Sequence, residues 1–390
     1  MPALCRRLSV RPAKAAPGRR SQTNHWSPNG LVSRRKPTPF GWRQGRNPAR
    51  PEEARAQEPP VVTMPIDMAA RHTHRPMRSF LIATCVFLPA CAANNWDAIE
   101  ADSRGCAGDE ISVCGRLFHT GTRVVLWSEP GGYDAYSDAP AFPDELRGWS
   151  FAPGRRYSTR RTAPAVVKAS GVWHIQDLQA VVDQFVIHYD VCGTSRQCFR
   201  VLHDLRKLSV HFLLDVDGTI YQTLDLAERA WHGTRANDRS VGIEIAHIGA
   251  YPRAQHRALL EWYRVDENGP YVRFPKRIKN TGVRTPNFVA RPSRAELVAG
   301  NIQGQDLWQY DFTDQQYAAL AKLTAALAKI FPRLRVDYPR TPEGQLRTTA
   351  LGDDEFRQYS GLIGHYHVQT NKTDPGPAFD WDRLLCEVRQ

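Results

Sequence analysis

From about residue 166 the chain alternates short apolar runs with stretches of helical spacing. Phe185–Tyr189 is an apolar run of strand length. Ser195 stands where a helix N-cap is expected, ahead of Cys198, Val201, Leu202 and Leu205 at helical spacing. His211–Asp215 reads as a strand, Asp217-Gly218 as a tight hairpin turn, and Thr219–Leu224 as the returning strand. Ser240–Ala246 is a further strand. Thr313-Asp314-Gln315-Gln316 has the pattern of a capping box, and Tyr317, Leu320, Leu323, Leu327 and Phe331 line the helix it opens. Gly361–Gly364 is a short strand, and Asp380-Trp381 starts a final helix. Strands with helices between them predict an α/β fold, a mixed central β-sheet flanked by helices.

Two stretches fit this rhythm less well. In residues 92–165, Arg116–Thr120 and Arg123–Ser128 read as short strands joined by a Thr-Gly turn, with Pro130-Gly131-Gly132-Tyr133 as a loop. This predicts a small, mainly β N-terminal extension, closed by an Arg-rich linker over 154–165. Residues 250–312 are punctuated by Arg and Pro, weakly patterned, and read as an insertion in a domain covering 166–390.

Charge changes the picture at the N-terminus. The 390 residues hold 52 Lys and Arg against 40 Asp and Glu, a net +12. Residues 1–76 alone hold 15 basic and 4 acidic groups and 12 of the 28 prolines, without apolar periodicity. They read as a disordered basic arm, or as sequence upstream of a true start at Met68 or Met77. From Met77 the text is different. Arg78, the apolar run Phe80–Ala90 and small residues before Cys91 form a secretory signal over 77–91. Leu88-Pro89-Ala90-Cys91 looks like a bacterial lipobox, which predicts lipidation and membrane anchoring at Cys91. With Ala92 after it, the expected location is the outer membrane, facing the periplasm. A chain beginning at Cys91 carries 36 basic and 36 acidic groups, so no nucleic-acid partner is expected. No apolar run approaches the roughly 20 residues of a membrane-spanning helix.

Eight cysteines are present. In an exported chain, close spacing suggests the disulfides Cys106–Cys114 and Cys192–Cys198, leaving Cys386 over; zinc ligation by cysteine is the competing reading.

The candidate chemistry lies at strand ends. His188 closes one strand, His365 follows another, and Asp374 sits in Lys372-Thr373-Asp374-Pro375-Gly376-Pro377. Two imidazoles and a carboxylate with a fourth position open are the donors of a catalytic zinc site, although spacing alone does not select them among 13 histidines. The surrounding words do more. Phe185-Val186-Ile187-His188-Tyr189, Val210-His211-Phe212-Leu213-Leu214 and Asp217-Gly218-Thr219-Ile220-Tyr221-Gln222 resemble the zinc-dependent type 2 N-acetylmuramoyl-L-alanine amidases. So do Ala230-Trp231-His232-Gly233, Asn237, Ser240-Val241-Gly242-Ile243-Glu244, Gly364-His365 and the Lys372–Pro377 segment, all in family order over about 180–390. The family includes the animal peptidoglycan recognition proteins, and Cys192 and Cys198 sit where those carry a disulfide.

The resemblance implies a peptidoglycan-recognition-like fold and a set of roles. His188, His365 and Asp374 would hold Zn²⁺, and Glu244 would act as general base and acid. Lys372 would stabilise the oxyanion, and His211, Trp231, His232 and Asn237 would contact the muropeptide. His367 is an alternative ligand to His365 but does not match the family motif. The implied activity is hydrolysis of the amide between N-acetylmuramic acid and L-alanine in peptidoglycan or muropeptides. A non-catalytic peptidoglycan-binding lipoprotein is the rival reading, and the presence of all three ligand types counts against it.

Overall fold

Every residue of the run Gln184–Tyr189 is buried, which a strand achieves only with a layer on each face. In the computed structural model, which describes residues 108–151 and 153–390, this strand lies inside a six-stranded sheet. The spatial order is Gly361–Gly364, Gln184–Tyr189, Ser240–Ile245, Phe212–Leu214, Ile220–Gln222 and Val124–Leu126. The first four run parallel; Ile220–Gln222 returns antiparallel through the Asp217-Gly218 turn, and Val124–Leu126 lies parallel to it. The expected arms, signal and lipid site at 1–91, and Cys106 with them, lie outside the described residues.

One face of the sheet is apolar throughout. Phe185, Ile187 and Tyr189 join Val241, Ile243, Ile245, Phe212 and Leu214 against the helices Asp314–Ile330 and Trp381–Val388. Thr313 caps the longer helix by accepting from Gln316 N (3.1 Å), while its own N–H donates to Gln316 Oε1 (3.0 Å), the reciprocal box the sequence predicts. On the other face, Val186 and Ile363 pack with Ala236, Leu351, Phe356 and Val368. Further along that face Leu213 and Tyr221 pack with Tyr133 and with Cys198 and Phe199 of the helix Ser195–Phe199. Thr194, one residue before the expected Ser195, caps that helix, which continues as a π-helical turn over Arg200–Arg206.

The leading segment is built into the same core. Its hairpin pairs Glu110–Val113 with Arg116–His119, not with the following strand, because Val124–Leu126 crosses to the sheet edge. Ile111, Val113, Phe118 and Val124 belong to the main hydrophobic cluster. The Arg-rich 154–165 stretch departs further from a solvated linker. Arg156 and Arg160 are fully buried. Taking a guanidinium out of water is costly unless its donors find acceptors. Arg160 finds the carbonyls of Asn237 (3.2 Å), Ser240 (2.9 Å) and Leu226 (2.8 Å). Arg156 donates to those of His203 (2.9 Å), Ser137 (3.2 Å) and Gly154 (2.9 Å). Burial lowers the Arg160 pKa to about 10, which leaves it charged at neutral pH. Each arginine therefore ties its segment to carbonyls that sequence distance separates.

The 250–312 stretch holds the helix Arg257–Trp262 and two hairpins, Tyr263–Asp266 with Gly269–Val272 and Val298–Ile302 with Gln305–Gln309. Both hairpins escape the sequence pattern because they are short and half exposed.

Candidate metal centre

Sites of open α/β sheets gather beyond the carboxyl ends of the parallel strands. Here register does the gathering. His188 pairs with Glu244 across adjacent strands, so their side chains share a face, opposite the apolar one. Gly364 pairs with Ile187, which places His365, the first residue of the short helix His365–Val368, beside His188. The Asp374 loop then closes over the strand end. A Cβ on Gly364 would lie 2.7 Å from Pro375 Cδ, so only a bare residue lets the loop approach. Tyr366 N donates to Asp374 O (3.1 Å), and the Tyr189 and Thr373 hydroxyls meet at 2.6 Å.

Three atoms converge. His188 Nδ1 lies 2.9 Å from His365 Nδ1 and 2.9 Å from Asp374 Oδ2, and His365 Nδ1 lies 3.0 Å from the same oxygen. All three residues are buried, and among the described residues this is the one His/Cys/Asp/Glu group of three close enough to hold a metal ion. The outer nitrogens decide what can sit between them. His365 Nε2 donates to Gln369 Oε1 (2.8 Å), so in the neutral ring Nδ1 carries a lone pair. That lone pair faces a carboxylate oxygen, an arrangement that calls for a cation between them. His188 Nε2 lies 3.0 Å from His232 Nδ1, whose own Nε2 is 3.3 Å from Ser240 Oγ. In the tautomer in which His188 Nε2 donates to His232 and His232 to Ser240, His188 Nδ1 faces inward as an acceptor, the arrangement in which metal-binding histidines are held.

Electrostatics agree with this donor set. Burial, and then the neighbouring His365, push the His188 pKa down to about 4, which keeps the ring neutral. Burial alone would raise the Asp374 carboxyl, but the two histidines beside it, His365 before His188, outweigh burial and hold it well below the usual range. Two imidazoles and one carboxylate fit a tetrahedral N/O-liganded divalent ion.

Glu244 sits beside this cluster. Its Oε2 is buried without a hydrogen-bond partner, and burial followed by the charge of Asp374 raises its pKa, with the cation of Lys372 acting against both. Lys372 is half-buried two residues before Asp374. Gln369, which bonds to His365, also lines an open groove of about 780 Å³ with Thr234, Arg235, Thr370 and Asn371 among others.

The remaining predicted residues divide. Trp231 and His232 are half-buried. Trp231 is held by bonds from its N to Ser209 Oγ (3.0 Å) and from Nε1 to Ser158 Oγ (3.4 Å). His211 is fully buried. Its Nδ1 accepts from Gly242 N (3.1 Å) and its Nε2 donates to Glu228 O (3.1 Å). Burial and the Arg160 charge lower its pKa to about 3, so it is a neutral prop beneath the sheet end. Asn237 is buried, and its Oδ1 accepts from Gly233 N (2.6 Å) and His232 N (3.2 Å), which pins the Trp231-His232-Gly233 loop. His367 spends both ring nitrogens, on Gly364 N (2.9 Å) and Arg347 O (2.6 Å), and so cannot replace His365.

The expected Cys192–Cys198 disulfide is not formed. Both residues are free thiols. Cys114 is likewise in no disulfide. Gln369 went unnoticed in the sequence; its spacing of four from His365 on a helical turn is the signal that could have found it.

Residues 178–266 match the family described as N-acetylmuramoyl-L-alanine amidase. The 1,6-anhydro-N-acetylmuramyl-L-alanine amidase AmpD of Salmonella typhimurium is 32% identical over 147 residues, 37% of this chain and 60% of that protein. The protein of the same name from Haemophilus influenzae is 28% identical over 130 residues, 32% of this chain and 56% of that one. The chain thus spans about 60% of the length of the curated relatives it matches. A solved complex of the N-acetylmuramyl-L-alanine amidase AmiD from E. coli with anhydro-N-acetylmuramic acid-L-Ala-D-gamma-Glu-L-Lys aligns with 53% of this chain and 57% of that one. Its identity is 19% and its TM-score 0.29.

Proposed function

We propose, from the premise that the chain carries a domain of the N-acetylmuramoyl-L-alanine amidase family, that it is a zinc-dependent hydrolase of peptidoglycan or muropeptides. The bond cleaved is the amide between N-acetylmuramic acid and L-alanine. The observation that carries this reading is the meeting of His188 Nδ1, His365 Nδ1 and Asp374 Oδ2 within 2.9–3.0 Å of one another, beside the unpartnered Oε2 of Glu244.

His188, His365 and Asp374 would hold the zinc, which when bound supplies Lewis-acid polarisation of the scissile carbonyl. The protein's own residues do the rest. Glu244 takes a proton from the attacking water as its oxygen bonds to the carbonyl carbon. It then passes that proton to the L-alanine nitrogen as the C–N bond breaks, which leaves a free acid and a free amine. Its raised pKa suits both halves of this exchange. Lys372, next to the Asp374 loop, opposes the negative charge that develops on the carbonyl oxygen. Gln369 and His232 hold the two imidazoles in the tautomer that faces inward. The groove along Thr234, Arg235 and Asn371 offers polar groups to a glycan or peptide. We further propose export and anchoring to the outer membrane, facing the periplasm, through a lipidated Cys91, on the strength of Leu88-Pro89-Ala90-Cys91.

The direct test is digestion of purified sacculi and of anhydro-muropeptides by the zinc-supplemented protein, followed by mass analysis. Free peptides with N-terminal L-alanine are expected, and a chelator should stop their release. Intact substrate after incubation with fully zinc-loaded protein would refute the activity. Mass analysis of the membrane-extracted N-terminus tests the anchor: an unmodified Cys91 refutes it.

A further inference from the structure

The hairpin Val298–Ile302/Gln305–Gln309 lies in the stretch that the sequence marks as an insertion, and it reaches both segments that carry the converging atoms. Gln309 ends its second strand and is fully buried. Its Nε2 donates to Pro375 O (3.0 Å) and its Oε1 accepts from Ala378 N (3.0 Å), so one amide grips the loop on both sides just after Asp374. The grip is close: a Cβ on Gly376 would lie 2.1 Å from Gln309 Oε1. At the hairpin tip, Gln303 Nε2 donates to Tyr366 O (2.7 Å) and Gln369 O (3.0 Å), while its Oε1 accepts from Ala350 N (3.3 Å). Tyr366 follows His365, and the Gln369 side chain sets the His365 tautomer. Two glutamine amides on one hairpin therefore bond to the backbone of the segments that carry Asp374 and His365.

We propose that this hairpin is a positioning clamp for the metal site, with Gln309 setting Asp374 and Gln303 setting His365 through the turn that bears it. The proposal rests on the metal reading given above. It assigns to the 250–312 stretch a task inside the site, not only at its rim. The physical ground is that ligand loops without regular secondary structure hold a metal geometry only if their backbone groups are bonded to something stiff.

The experiment compares the full-length chain with Gln309→Met, Gln303→Ala and the control Asn301→Ala, whose side chain is exposed and bonds only within the hairpin. Zinc affinity is read by chelator competition, and Tm is read with and without zinc. Gln309→Met is expected to weaken zinc binding about 10–100-fold and Gln303→Ala by less, in the range of outer partners of metal ligands. Both should shrink the rise in Tm that zinc produces, and Asn301→Ala should match the parent. A hairpin that is merely structural would lower Tm equally with and without zinc and leave the affinity unchanged, which overturns the clamp while the metal reading stands. Should Gln309→Met not fold, Gln303→Ala at the half-buried tip decides the matter by the same readouts. A parent chain that takes up no zinc overturns the metal reading and the clamp with it.

Discussion

The neighbouring strands Gln184–Tyr189 and Ser240–Ile245 present two faces with opposite tasks. On one, Phe185, Ile187 and Tyr189 lie against Val241, Ile243 and Ile245 beneath the long helix, with nothing to titrate but a buried phenol. On the other, Val186 and Gly242 give way at the strand ends to His188 and Glu244, paired across the register. Alternation along a strand separates the two by one residue. The apolar face contributes the stability that lets the other tolerate a buried carboxylate, an unpartnered Glu244 oxygen and imidazoles turned toward one another. Such groups cost free energy on their own. The comparison teaches that the site stands on the sheet at a fixed distance from the core that supports it, so the two ought to be separable by mutation.

The strongest attempt to break that separation is Asp374→Ala or His188→Ala. Each is expected to abolish muropeptide cleavage and zinc content together, and full activity without bound metal would sink the mechanism. Glu244→Gln comes next: zinc content should stay at the parent level while turnover falls about 10²–10⁴-fold, the usual worth of a positioned acid–base group. Metal analysis and single-turnover rates on one preparation check it. Lys372→Ala should cost about 10²–10³ in kcat, as loss of a charge stabiliser does. An effect on KM alone would assign the lysine to binding. On the opposite face, Ile243→Ala should lower stability by about 2–5 kcal/mol, yet change kcat/KM of the folded protein little. Denaturant unfolding beside an activity assay at low temperature reads both quantities. A large loss of kcat in the folded variant would show that the faces are coupled.

Much of this arrangement is legible in the chain. The apolar run ending in His188, the Asp217-Gly218 turn, the capping box at Thr313 and the short strand before His365 are local patterns, and each is found where the periodicity puts it. The three converging residues are named by their motifs. Other features answer to partners far away in sequence. Arg156 and Arg160 read as linker charges because their acceptors, Ser137, His203, Leu226, Asn237 and Ser240, are scattered along the chain. His211 and Asn237 share the motif words of the site but are consumed by backbone groups beneath it. Gln303 and Gln309 look like ordinary polar residues of a half-exposed hairpin until Pro375, Ala378 and Gln369 come into reach.

The sequence by itself determined which elements form and which residue types stand at their ends, because strand alternation, helix capping and turn chemistry depend on near neighbours. It also placed the net charge of +12 almost wholly in residues 1–76. Only the tertiary structure decided how closely the histidines named by their motifs approach one carboxylate, which nitrogen each turns inward, and which polar side chains support the site instead of joining it. Those outcomes depend on parallel register and on hydrogen bonds between residues more than a hundred positions apart, such as that from Gln184 Nε2 to Tyr359 O (3.0 Å). The energy of such bonds is settled when the layers close, and no local pattern along the chain encodes it.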